Sequence, residues 1–103
     1  MLEQSPAIGV ARDLSGGGHS PEIAARLAKL EGAISKQKTI VFLYFAISTG
    51  QEKTRTVDPY GLYFADSNWH LVGYDHAREA MRNFRISRIR GDIRFHTRKE
   101  RDF

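Results

Sequence analysis

The chain has 103 residues, room for one modest hydrophobic core and not for two, which excludes a large multi-part enzyme. Hydrophobic residues make up 41% of it and charged residues 27%, an ordinary globular composition that argues against overall disorder. The net charge of +4 is uneven: residues 1–75 hold seven Lys or Arg against eight acids, whereas residues 76–103 hold nine against four, eight of the nine being arginine. Arginine makes forked contacts with phosphate and carboxylate, so an anionic partner is the first expectation, with a plain solvated basic tail as the alternative.

Cysteine is absent, which excludes disulfides, thiolate metal sites and a cysteine nucleophile and fits a reducing cytoplasm. His19, His70, His76 and His96 lack paired metal-ligand spacing, so neither metal nor cofactor is expected. The first twenty residues carry acids and glycines where a signal peptide needs an apolar run, and no stretch approaches the roughly 18 apolar residues of a membrane span. The chain is expected to work away from the membrane.

Residues 1–19 show no sustained periodicity and close on Gly16-Gly17-Gly18, a flexible leader or linker. Ser20-Pro21-Glu22 then combines a capping hydroxyl, a proline suited to the first helical position and an acid facing the positive end of a helix dipole. Ile23, Leu27, Leu30 and Ile34 form a single apolar stripe and predict one amphipathic helix over about 21–36. From Thr39 the run Ile40 to Ile47 is apolar on both alternating faces, a strand covered on both sides, with the helix stripe as one cover. A turn at Ser48-Thr49-Gly50 leads to a polar second strand, Glu52 to Val57, stopped at Asp58-Pro59 because proline cannot donate to a ladder. Tyr60 to Ala65, Trp69 to Tyr74 and Met81 to Ile86 complete five short strands, with a tight turn at Asp66-Ser67-Asn68. The fold class is mainly β with one N-terminal helix, a small five-stranded antiparallel barrel over about residues 20–91. Gly61 and Gly73 fall inside strands, where a barrel needs bends or close backbone approach. Residues 92–103 form a charged segment with Phe95 and Phe103 and receive no assignment.

Taken in order, Lys38 to Phe45 is followed by Arg55-Thr56-Val57-Asp58-Pro59, then by Trp69-His70-Leu71-Val72-Gly73-Tyr74-Asp75, then by Arg82-Asn83-Phe84-Arg85-Ile86-Ser87-Arg88-Ile89. This ordered set resembles the WYL domain, named for a Trp-Tyr-Leu triplet that here reads Trp69-His70-Leu71. The resemblance is strong from Tyr44 to Ile89 and extends weakly back over the helix. It implies an SH3-like barrel of the Sm type. It also implies a role in bacterial transcriptional regulators, in which a helix-turn-helix binds DNA and the WYL module senses a nucleotide or single-stranded nucleic acid. Two departures stand out: the single helix ahead of the barrel cannot form a helix-turn-helix, and His70 replaces the middle tyrosine. The chain is therefore expected to be a lone sensor, a fragment, or a partner of a helix-turn-helix protein or domain.

Alternation puts Trp69 and Leu71 on a core face and His70, Val72 and Tyr74 on the other, where His70 can donate to a phosphate and Tyr74 can stack or hydrogen-bond. Arg82 and Arg88 alternate with Phe84 and Ile86 on a face that reads as core, while Arg85 points away; a charge cannot be buried there unpaired. Either the strand ends near Ile86 and a turn swings Arg88 out, or these arginines rim a pocket at the barrel edge. In resembling domains the basic residues here form the proposed ligand groove; salt bridges to Asp58, Asp66 or Asp75 are the alternative. The ligand-binding candidates are thus Arg82, Arg85, Arg88, Tyr74, His70 and Arg55. No serine sits in a nucleophile elbow, no phosphate-cradling loop precedes a lysine and the acids show no diagnostic pairing, so catalysis is not expected. The alternatives to a ligand sensor are a protein-interaction or homodimerisation module, using the apolar first strand with Phe95 or Phe103, and an Sm-like RNA-binding protein.

Overall fold

The structure is a computed structural model in which residues 20–103 are described; the expected leader, residues 1–19, lies outside them. Helix α1 spans Pro21–Lys36, and the Ile23 amide donates to the Ser20 hydroxyl at its start. It ends where Gln37 adopts a left-handed conformation and its N–H turns back to the carbonyls of Ala33 and Ile34. Five antiparallel strands follow: β1 (Ile40–Ala46), β2 (Gln51–Ala65), β3 (Asn68–Asp75), β4 (Ala80–Arg85) and β5 (Ile89–Phe95). They form one sheet in the order β4-β3-β2-β1-β5, and a 3-10 turn at Ile86–Arg88 joins the two edge strands. The architecture is the mainly β, SH3-like one that the strand pattern predicts.

The number of strands agrees with the sequence, but their identities correct it in two places. Asp58-Pro59 does not stop a strand; β2 runs through it from Gln51 to Ala65. The ladder with β1 ends at Ile40 opposite Val57, and the register with β3 shifts between Pro59 and Gly61, so the missing proline N–H falls at a bulge beyond the β1 ladder. The fifth strand is Ile89–Phe95, which runs through the boundary drawn at residue 91; its register on β1 shifts between Val41 and Leu43, where Gly91 takes a φ of 70°. A charged strand with a bulge has no clean alternation, which hid it from a periodicity argument.

The core lies on the concave face. Ile40, Phe42 and Tyr44 of β1, Val57 and Leu62 of β2, Trp69 and Leu71 of β3, Phe84 of β4, and Ile89 and Ile93 of β5 are buried there, with Ile86 of the 3-10 turn. Helix α1 packs chiefly on β2, β5 and the 3-10 turn and adds Leu27, Leu30 and Ala33 to this same core. The helix stripe thus helps to cover one face of β1, as expected, but the other face is not covered to the same degree: Val41, Leu43 and Phe45 stay half-buried between Thr54 and Thr56 of β2 and Arg90 and Arg94 of β5. The bends fall at the glycines read from sequence. A Cβ on Gly73 would meet Val57 Cγ1 at 2.4 Å and the Asp58 carbonyl oxygen at 2.8 Å, so β2 and β3 approach closely only because that position has no side chain. Tyr44 ties β1 to β4: its ring stacks edge-on against Phe42 and Phe84, and its hydroxyl accepts from the Arg85 amide at 3.0 Å.

Residues 96–103 fold back onto the junction of α1 and β1. The Asp102 carboxylate accepts from the Thr39 amide at 2.8 Å and from the Thr97 hydroxyl, and it pairs with the Lys38 ammonium at 3.3 Å. Lys38 also donates to the carbonyls of Thr97 and Lys99, and Phe103 packs on Tyr60, the extra residue of the β2 bulge. Arg98, Lys99 and Arg101 remain exposed.

Two stability measurements test this account. Tyr44→Phe leaves the Arg85 amide without its acceptor while keeping the ring, and should lower the unfolding free energy by about 1 kcal/mol in denaturant titration. The Thr97 hydroxyl first, then the Thr39 amide and Lys38, hold the Asp102 carboxyl below its ordinary value against the opposing effect of burial. A depressed carboxyl pKa stabilises the fold above its unfolded value and loses that contribution as pH falls through the folded value. Wild type should therefore lose stability on acidification below about pH 4, and Asp102→Asn should be weaker at pH 7 with a shallower acid slope.

Candidate anion-binding site

The six candidate residues do not form one cluster. Strand register divides them between the two faces of β2, β3 and β4. Arg55 sits opposite Phe42, and Arg82 opposite Gly73, so both belong to the concave face. There they converge on Asp75, which is 0% exposed and sits opposite Val57. Arg82 donates to Asp75 Oδ2 at 3.3 Å with its side chain 34% exposed, and Arg55 reaches the same oxygen at 3.9 Å with its side chain 11% exposed. Asp75 Oδ1 accepts from the Ala77 amide at 3.0 Å, which fixes the start of the loop between β3 and β4. The Arg55 Nε is buried and makes no hydrogen bond. Two arginines on one carboxylate leave one positive charge in excess, and the guanidinium of Arg82 lies over the Phe84 ring.

The convex face carries His70, Tyr74 and Arg85. Tyr63, His70 and Arg85 lie side by side across β2, β3 and β4. The Tyr63 and His70 rings stack 4.8 Å apart and 13° from parallel, and His70 Nε2 lies 3.4 Å from the Ala65 carbonyl oxygen. Four residues along β3, beyond Val72, Asp58, Tyr74 and exposed Met81 form another row, and Tyr74 meets the His76 ring edge-on at 6.0 Å. His76 Nε2 lies 2.8 Å from Asp58 Oδ1, the oxygen that also accepts from the Thr39 hydroxyl.

The strand does end before Ser87: β4 closes at Arg85 and the 3-10 turn carries Arg88, half-buried, out of the alternation. The three arginines therefore do not share one face. Arg82 is held by Asp75, one of the salt bridges weighed from the sequence. Among the described residues, no ion pair or side-chain hydrogen bond engages the guanidinium groups of Arg85 or Arg88. Tyr63 was missed: alternation sets it apart from Leu62, but only the β2 to β3 register reveals that it stacks on His70. Among the described residues no group of three His, Cys, Asp or Glu is placed to hold a metal ion, and no helix is long and apolar enough to cross a membrane.

A bent five-stranded sheet, an arginine pair on a buried aspartate and an aromatic and basic convex face define the class of module. The WYL domain profile matches residues 25–92, and the chain belongs to the WYL domain family. Its relatives include Protein PafB of Mycobacterium leprae, 36% identical over 67 residues, which cover 65% of this chain and 20% of that protein. Protein PafB of Mycobacterium tuberculosis is 33% identical over 87 residues, covering 72% of this chain and 26% of its own length. Among solved structures, the proteasome accessory factor B/C (PafBC) of Arthrobacter aurescens superposes with a TM-score of 0.71 at 32% identity over 82% of this chain and 13% of that one. The chain thus spans about a quarter or less of the length of these relatives.

Asp75→Ala should destabilise the fold by about 3 kcal/mol, because it leaves the nearly buried Arg55 without its counter-ion. The double variant Asp75→Ala, Arg55→Met should recover part of that loss in the same thermal or denaturant titration; an unchanged melting temperature in the single variant would contradict the pairing.

Proposed function

We propose that the chain is a ligand-sensing regulatory module of the kind found in bacterial transcriptional regulators, and that its ligand is single-stranded nucleic acid or a nucleotide. The observation that carries this reading is the row Tyr63, His70, Arg85 on the convex face. A stacked ring pair beside an uncommitted guanidinium is the combination that sequence-tolerant recognition of single strands uses: bases on aromatic surfaces, phosphates on arginine. Tyr74 extends the ring surface along β3, and Arg88 supplies a second free cation just beyond β4. Arg55 and Arg82 contribute positive potential from the concave side, where Asp75 already neutralises part of it. Membership of the WYL family and similarity to PafB proteins support the regulatory half of the reading. In it the module binds and does not catalyse, takes no cofactor, and acts in the cytoplasm through a helix-turn-helix partner or domain.

The test is an ordering of substitutions. Arg85→Ala and Arg88→Ala should each weaken binding of a fluorescent oligothymidylate by about 1–3 kcal/mol and reduce the salt slope by about one phosphate contact. Substituting the exposed tail cations Arg98, Lys99 and Arg101 should cost less per residue. The convex-face site is wrong if the tail substitutions abolish binding while Arg85→Ala and Arg88→Ala leave it unchanged in folded protein.

A further inference from the structure

Among the described residues no strand pairs with the second edge of β5, and the walls beside that edge carry an uneven charge. Strand β5 pairs with β1 on one side and terminates the sheet on the other. The His96 amide donates to the Thr39 carbonyl, so His96 faces β1; alternation then turns the N–H and C=O groups of Phe95 and Ile93 outward. The Gly91 carbonyl points outward as well, because the Arg26 guanidinium donates to it at 3.3 Å. Edge strands are normally blunted by bulges, charges or covering groups. Here the blunting is confined to one end: Gly91 carries the bulge and the Arg26 cap, whereas among the described residues nothing bonds to the outward backbone groups of Ile93 and Phe95.

A groove of about 610 Å³ runs along this edge between α1 and β5. Its charges are sorted along its length. The acids Glu22 and Asp92 belong to the capped end near Gly91. The open end is walled by Lys29, whose ammonium lies 4.1 Å from the centre of the Phe95 ring, and by Arg94. An unpaired strand edge asks for extended backbone, and cations at that end ask for acidic side chains. A nucleic acid would meet the cations but leave the edge amides and carbonyls without partners.

We propose that the Ile93–Phe95 edge accepts an extended acidic segment of a partner protein as a sixth strand, seated between Lys29 and Arg94. This site lies apart from the Tyr63, His70, Arg85 row, and it stands or fails independently of the ligand proposed there.

The probe is a fluorescent heptapeptide alternating Glu and Val, with a counterpart N-methylated at every residue, titrated against the full chain and followed by backbone NMR. The unmodified peptide should bind, slow amide exchange at Ile93 and Phe95, and lose at least tenfold in affinity to Lys29→Glu, an exposed change. Arg85→Ala should leave that binding unchanged. The N-methylated peptide should not bind. The proposal is overturned by equal binding of the two peptides, by protection appearing elsewhere, by no binding at all, or by an oligothymidylate that protects the same two amides.

Discussion

One fully buried carboxylate sets how the arginines of this barrel are placed. Asp75 closes β3 on the core side with no exposure, and a buried charge persists only where it is paired and hydrogen-bonded. Its partners are therefore prescribed: two guanidinium groups, from Arg55 on β2 and Arg82 on β4, and the Ala77 amide of the loop between. That arrangement draws two of the chain's arginines inward and joins three strands through a single side chain. It also leaves Arg85, one residue past the inward-facing Phe84, on the opposite face with no counter-ion among the described residues.

The remaining polar contacts secure the edges of the sheet. Tyr44 supplies through its side chain a link between β1 and β4, which are not neighbours in the sheet. Asp102 does the same for the C-terminal segment, answering the Thr39 amide and the Lys38 ammonium together. Thr39 is the meeting point of two networks, since its hydroxyl donates to Asp58, the carboxylate beside His76. The loop that begins at Asp75 and the segment that ends at Phe103 are thus both tied to the start of β1. Each tie uses a polar group that burial would otherwise leave unsatisfied, which is why the segment after β5 is a structural part of the barrel wall even though its arginines and Lys99 are exposed.

Much of the fold was legible from local pattern. The Ser20-Pro21 helix start, the apolar stripe, the turns at Gly50 and Asp66-Ser67, and the core face of Trp69 and Leu71 depend on neighbouring residues alone, and each lies where the sequence places it. The two failures have one cause. Pro59 reads as a stop only if both edges of its strand need donors, and β5 goes unassigned only if a strand must alternate; a bulge removes each condition. Bulges are decided by how strands meet and not by the residues of one strand.

The candidate site divided along the same line. The amino-acid sequence by itself determined the residue types: arginines concentrated after residue 76, aromatic and imidazole groups alternating with a core face on β3, and the WYL signature that joins them in order. Only the tertiary structure decided which of those groups are free. Arg82, Arg85 and Arg88 are equivalent at a spacing of three, yet one faces a buried aspartate, one lies in register with a half-buried ring pair on the opposite face, and one sits in a turn. The difference is register: a shift of one residue reverses the face of every side chain in a strand, and register is set by partners distant in sequence. Tyr63 against His70, Asp75 between Arg55 and Arg82, and Arg26 on Gly91 are all contacts of that kind. Composition states which chemistry the chain carries; the pairing of strands decides which charges meet a counter-ion and which do not.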